Sequence, residues 1–85
     1  MDDWLEQATE RLAKRSGLDP AALAPTQADV DKLLDLARIA AHESGDRTNA
    51  PVLTYLAGLA QGRSGRALAD LADAAGGTGG TGGTG

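Results

Sequence analysis

The 85-residue chain has no cysteine and no phenylalanine, and only one histidine, one tryptophan and one tyrosine. Without thiols there is no disulfide framework and no thiolate chemistry. A single histidine is too few for a conventional zinc site built by this chain alone. Two aromatic rings, Trp4 and Tyr55, do not supply the successive stacking platforms of a single-strand-binding surface. Positive charge is also scarce: eight Lys and Arg against twelve Asp and Glu leave a net charge of -4. No uniform positive field therefore draws nucleic acid phosphates. The longest near-apolar run, Ala50 to Ala60, is interrupted by Thr54 and is about half the length that crosses a bilayer. Met1 is not followed by a charged region, an apolar stretch and a small-residue cleavage site. Nucleic acid and membrane are not expected partners, and the expected location is the cytoplasm. Val30, Ile39 and Val52 are the only β-branched aliphatic residues, and none alternates with polar neighbours, so no strand is expected.

What is present is alanine and leucine. Alanine supplies 17 residues and leucine 12, with two valines and single Ile, Met, Trp and Tyr completing the hydrophobic set. That is little large apolar volume for a core, and pairing of two copies is an open source of further buried area. The richness in Ala, Gly, Asp and Arg, with little Lys, Asn or Phe, fits a GC-rich bacterial gene.

Helical periodicity organises residues 2–75. Trp4, Leu5, Ala8 and Leu12 form one stripe of a first helix over Asp2–Arg15, with acidic residues at its start, basic ones at its end and Gly17 as its stop. Asp19 and Pro20 suit a short capped turn, and Leu18 and Leu23 are expected to anchor this connector on the core. Thr26 caps a second helix running to about Glu43. Its apolar set, Val30, Leu33, Leu34, Leu36, Ala37, Ile39, Ala40 and Ala41, is wide enough to be covered on more than one side. Its alanines would admit a close neighbour. Gly45 ends it, and Thr48 or Asn49 caps a third helix with Pro51 in its first turn. Val52, Leu53, Leu56 and Leu59 are its expected buried face, Tyr55 flanks them, and Gly58 is expected to mark a close approach. After Gly62–Gly65, Ser64 is expected to cap a last helix carrying Leu68 and Leu71. The expected fold is all-α, a compact bundle of four short helices over residues 1–75. Residues 76–85, GGTGGTGGTG, read as a disordered Gly/Thr tail or linker.

No motif specifies catalysis. His42 sits at a helix C-terminus, where the dipole favours its protonated form, and Ser44, Asp46 and Arg47 follow. A hydroxyl, an imidazole and a carboxylate so close in sequence seldom form a triad, so His42 and Arg47 are read as partner contacts. Gly62-Arg63-Ser64-Gly65-Arg66 combines glycines, two guanidinium forks and an expected helix start. Those are the elements of a phosphate or carboxylate cradle, although the spacing is not a P-loop. Asp29, Asp31 and Asp35 read as dipole partners and solvated charges; no metal site is expected. Trp4 is expected to be buried as the anchor of the first helix, and if exposed it is the best single contact residue. Gly58 and Gly62 have the GxxxG spacing, which in a soluble helix means backbone closeness.

The order Asp2-Asp3-Trp4-Leu5, Gly17-Leu18-Asp19-Pro20, Leu33-Leu34-Asp35-Leu36-Ala37-Arg38, Ala41-His42, Arg47, Ala50-Pro51 and Leu53-Thr54-Tyr55-Leu56-Ala57-Gly58-Leu59-Ala60 resembles a small bacterial domain family of unknown function. Members of that family occur alone or fused C-terminally to molybdenum cofactor guanylyltransferases. The resemblance implies no catalytic residues. It implies a protein partner among the molybdenum cofactor machinery or molybdoenzymes, by association of neighbours.

The expected function is accordingly a non-enzymatic helical interaction or accessory module without a cofactor of its own. Its expected contacts are His42, Arg47, Arg63 and Arg66, with Trp4 if exposed. The alternative is an anion- or phosphorylated-cofactor-binding domain using Gly62–Arg66, with Ser64 at the centre of the turn.

Overall fold

The computed structural model describes residues 2–76, and the Gly/Thr tail from residue 77 onward lies outside them. Among the described residues the chain is all helix, with no strand. Five helices occur where four are expected, because the Pro20 turn closes into a helix of its own: α1 Asp3–Ser16, α2 Pro20–Leu23, α3 Gln27–Ser44, α4 Asn49–Ser64 and α5 Leu68–Gly76.

Their boundaries follow from local chemistry. Asp2 caps α1 by accepting the Leu5 N–H at 2.8 Å, and Asp19 caps α2 by accepting that of Ala21 at 3.0 Å. Pro20 opens α2, where its missing N–H costs nothing. Thr26 and Asp29 form a reciprocal capping box at the start of α3: the Asp29 amide donates to Thr26 Oγ1 and the Thr26 amide donates to Asp29 Oδ2, each at 3.0 Å. Gly17, Gly45 and Gly65 end α1, α3 and α4 with φ of 76°, 74° and 75°, the left-handed region that side chains resist. At Gly17 the chain also donates from the Leu18 N–H to the Ala13 carbonyl at 2.9 Å, the six-to-one bond of a Schellman stop.

The chain divides into two units, residues 1–30 and 31–85, with the division inside α3. In the first, α1 packs on α2, and Ala13 is its buried residue. The expected stripe of α1 is not inside: Trp4 is 69 % and Leu12 65 % exposed, and Leu18 and Leu23 are exposed rather than anchored. Alanine fits where one helix lies close on another, and the larger side chains beside it are left outside.

In the second unit α5 packs on α4. The core cluster is Leu36 from α3, Ala57 from α4, and Leu68 and Ala72 from α5, with Leu33 and Leu53 packed against it. Close packing occurs between α4 and α5, and on α3 Ala40 is buried with Ala37 and Ala41 half-buried. Leu34 of the expected α3 set is exposed, on a face that also carries Asp31, Asp35 and Arg38. The expected buried face of α4 is corrected as well: Ala57 is buried and Leu53 half-buried, while Val52, Tyr55, Leu56 and Leu59 are exposed. Gly58 marks no close approach, since a Cβ built there meets nothing within 4 Å. Gly76, expected as the first residue of the tail, is instead the last of α5. A Cβ there would lie 3.4 Å from Leu36 Cδ1 and 3.6 Å from Ile39 Cγ2, so the chain stays packed to that point. Lys32 and Asp73 join α3 to α5 at 3.2 Å, a half-exposed pair of small energetic weight. No helix among the described residues is long and apolar enough to cross a membrane.

Two substitutions test this arrangement. Leu36→Ala is expected to cost about 2–5 kcal/mol of unfolding free energy, because its neighbours cannot collapse onto the cavity. Gly58→Ala is expected to gain up to about 1 kcal/mol, since helix propensity improves and nothing opposes the methyl group. Urea denaturation of the two variants beside the parent chain measures both, and a loss in Gly58→Ala would mean that α4 is covered at that point.

Candidate functional site

The α3–α4 connection, residues 45–48, brings together the polar residues on which a catalytic reading would depend, and it uses them on itself. Asp46 Oδ1 accepts the Thr48 amide at 2.9 Å and the Thr48 hydroxyl at 2.6 Å. The Ser44 hydroxyl donates to the Asp46 carbonyl at 3.1 Å, and the Asp46 amide donates to Ser44 Oγ at 3.2 Å. Thr48 precedes α4 in a helical conformation and makes no side-chain cap, contrary to its expected role; its hydroxyl is spent on Asp46. The hydroxyl of Thr48, followed by its amide, holds the exposed Asp46 carboxyl below its ordinary value. His42 lies in the last turn of α3, exposed, and hydrogen-bonds to neither Ser44 nor Asp46. Ser44, Asp46 and Thr48 therefore form a self-satisfied turn that leaves His42 out, with exposed Arg47 inside it.

The Gly62–Arg66 segment differs from its expected form in a way that matters for anions. α4 runs through Gly62 and Arg63 to Ser64, and Gly65 is its C-cap, whose N–H donates to the Gln61 carbonyl. Ser64 does not cap α5. Its Oγ accepts the Arg66 amide at 3.1 Å, a local turn two residues long. The segment thus presents the carbonyl end of a helix, the negative end of its dipole, where a ring of free N–H groups was expected. Arg63 sits suitably in that last turn, and Arg66 reaches Asp70 in the first turn of α5 at 3.5 Å. Of the six expected contact residues, only Ser64 and Arg66 are joined by a hydrogen bond. Two acidic residues of α3 are also engaged: Asp29 is in the capping box and Asp35 pairs with Arg38. No group of three His, Asp or Glu side chains converges among the described residues.

Part of the remaining surface is apolar. Trp4, expected inside, stands outside in the first unit. In the second unit Val52, Tyr55, Leu56 and Leu59 cover the outward arc of α4, with Gly58 and Gly62 on the same side. From Asn49 to Gly62 there is no Asp, Glu, Lys, Arg or His. Beside this arc, between α3 and α4, a groove of about 420 Å³ is lined by Ile39, Ala40, Val52, Leu53, Leu56 and Ala75, with Glu43, Ser44 and Asn49 at its polar margin. Sequence periodicity assigned Val52, Leu56 and Leu59 to the interior, because no charged side of α4 before Arg63 marks which face is outward. The missing charge was the available signal, since a surface helix ordinarily carries charge on its outer side.

The chain belongs to the family described as a domain of unknown function (DUF6457), whose model matches residues 1–80. No curated protein and no solved structure matches it. Membership brings no activity, ligand or partner with it, so any function has to be argued from the surface.

The turn makes its own test. The Asp46 pKa is lower in the folded chain than in the unfolded one, so its contribution to stability is present above the unfolded value and lost as pH falls through the folded one. Thr48→Val is expected to raise the Asp46 pKa toward that of a free aspartate. NMR titration of the side-chain carboxyl reads this directly; an unchanged midpoint would show that Thr48 does not hold the carboxylate.

Proposed function

We propose that this domain is a non-enzymatic helical interaction module, an accessory that binds protein and transforms no substrate. The observation that carries the reading is where the large apolar side chains lie: among the described residues Leu36 and Leu68 are the only buried ones, while Trp4, Tyr55 and most of the leucines are exposed. Scattered exposed leucines are ordinary, but a contiguous uncharged helix face is not. Trp, Tyr and Arg are the residue types that dominate contact energetics, and Trp4, Tyr55 and Arg63 are all accessible here. His42, Arg47 and Arg66 are polar rim contacts in this reading. The ordered likeness of residues 2–63 to the domains fused to molybdenum cofactor guanylyltransferases supports that enzyme, or a molybdoenzyme maturation factor, as the partner to test first. A phosphorylated-cofactor site at Gly62–Arg66 is the weaker alternative, because Arg66 already pairs with Asp70 and helix carbonyls end at that turn.

Calorimetric titration of a purified molybdenum cofactor guanylyltransferase into the chain tests the proposal. Saturable binding is expected, weakened about tenfold or more by Trp4→Ala and by the double substitution Arg63→Glu with Arg66→Glu, with helicity unchanged by circular dichroism. Equal affinity in all variants would remove these residues from the contact. Absence of heat with the parent chain would remove the partner.

A further inference from the structure

We infer that the outward arc of α4 pairs with the same arc of a second copy of this chain, forming a two-fold helix–helix interface. The inference rests on the reading of exposed apolar side chains as contact surface, and it names the occupant of one such surface.

The spacing of the arc suits a helix. Val52, Tyr55, Leu59 and Gly62 follow one another at intervals of three, four and three residues, the a and d positions of a two-helix seam. At Gly58 and Gly62 a built Cβ meets nothing within 4 Å, so a second backbone can come close on that side.

Charge selects the partner. The chain carries -4 overall, and two copies repel wherever their carboxylates are opposed. The outer face of α3 illustrates the problem, since its exposed Leu34 is accompanied by Asp31 and Asp35. Along α4 there is no carboxylate from Asn49 to Gly62, so two acidic chains can meet there without opposing like charges. Arg63, one turn beyond Leu59, is the single charge at the end of this arc, and it is of the sign that an acidic copy tolerates.

The arc is also self-complementary. Tyr55, 65 % exposed, projects from α4, while Val52 and Leu56 of the same helix line the groove beside it. A knob and a hole on one element are what an isologous interface needs, because the two-fold presents each to the other. Residues 77–85 of the chain, all Gly or Thr, have no side chain large enough to fill that groove. A 16-residue helix is roughly 24 Å long. Two of them side by side bury on the order of 1,000 Å² in total, the low end for specific interfaces, so the dimer is expected to be reversible and concentration-dependent.

Sedimentation equilibrium of the full chain from low micromolar to millimolar concentration decides the matter. The expected result is a mass rising from 8.6 kDa toward twice that value. Tyr55→Glu and Leu59→Glu are expected to hold it at the monomer mass with unchanged helicity, and Leu34→Glu to leave the association unaltered. A monomer at every concentration overturns the inference, and so does a dimer indifferent to both glutamate variants. A monomeric chain that still binds the guanylyltransferase would overturn self-pairing alone. A dimer that binds no guanylyltransferase would instead count against the proposed partner.

Discussion

Leu36 is 2 % exposed, held in a seam of leucine and alanine, and the rest of residues 31–76 is arranged around that fact. Ala57 and Ala72 let α4 and α5 lie close together, and Leu36 and Leu68 fill the space that remains. A core of this kind packs tightly but takes few large side chains. With twelve leucines in the chain, most have no interior position to occupy. Exposed apolar surface is thus a consequence of how the helices meet, and in the second unit most of it lies on α4.

Helix termini supply what the small core does not. Asp2, Asp19 and the Thr26–Asp29 box each satisfy amides that would otherwise lack partners, and a cap of this kind is typically worth about 1 kcal/mol. The Asp46–Thr48 turn does comparable work between α3 and α4, fixing where one helix ends and the next begins. Polar residues that resemble catalytic groups in order and type are, in this fold, the fasteners of short connections. Their hydroxyls and carboxylates are engaged with one another across two residues.

The limits of α1 and α3 were legible in the sequence to within a residue, because they depend on interactions only two to five positions apart. Gly17 and Gly45 stop helices for a reason carried by one residue each, and Asp19-Pro20 opens α2 for the same kind of reason. Which side of a helix faces inward was not legible. Leu12 and Leu56 outrank Ala13 and Ala57 in hydrophobicity, yet the alanines are buried and the leucines exposed. Close packing of backbones rewards small side chains, and no one-dimensional pattern registers how near a neighbouring helix comes. Ser64 failed for a different reason. A serine after a glycine suits an N-cap or a two-residue turn equally well, and only the continuation of α4 through Gly62 decides between them. Trp4 was assigned to the interior because large side chains are scarce, but scarcity fixes a need for core and not its location.

The surface reading depends on α4 being turned outward, and hydroxyl-radical footprinting of the full chain measures that most directly. In dilute solution Tyr55 and Leu59 are expected to be modified readily while Leu36 and Leu68 are spared, and concentrating the chain is expected to protect Tyr55 and Leu59 selectively. If Tyr55 and Leu59 are as protected as Leu36 in the dilute chain, α4 is covered from the start and the account of its surface is wrong.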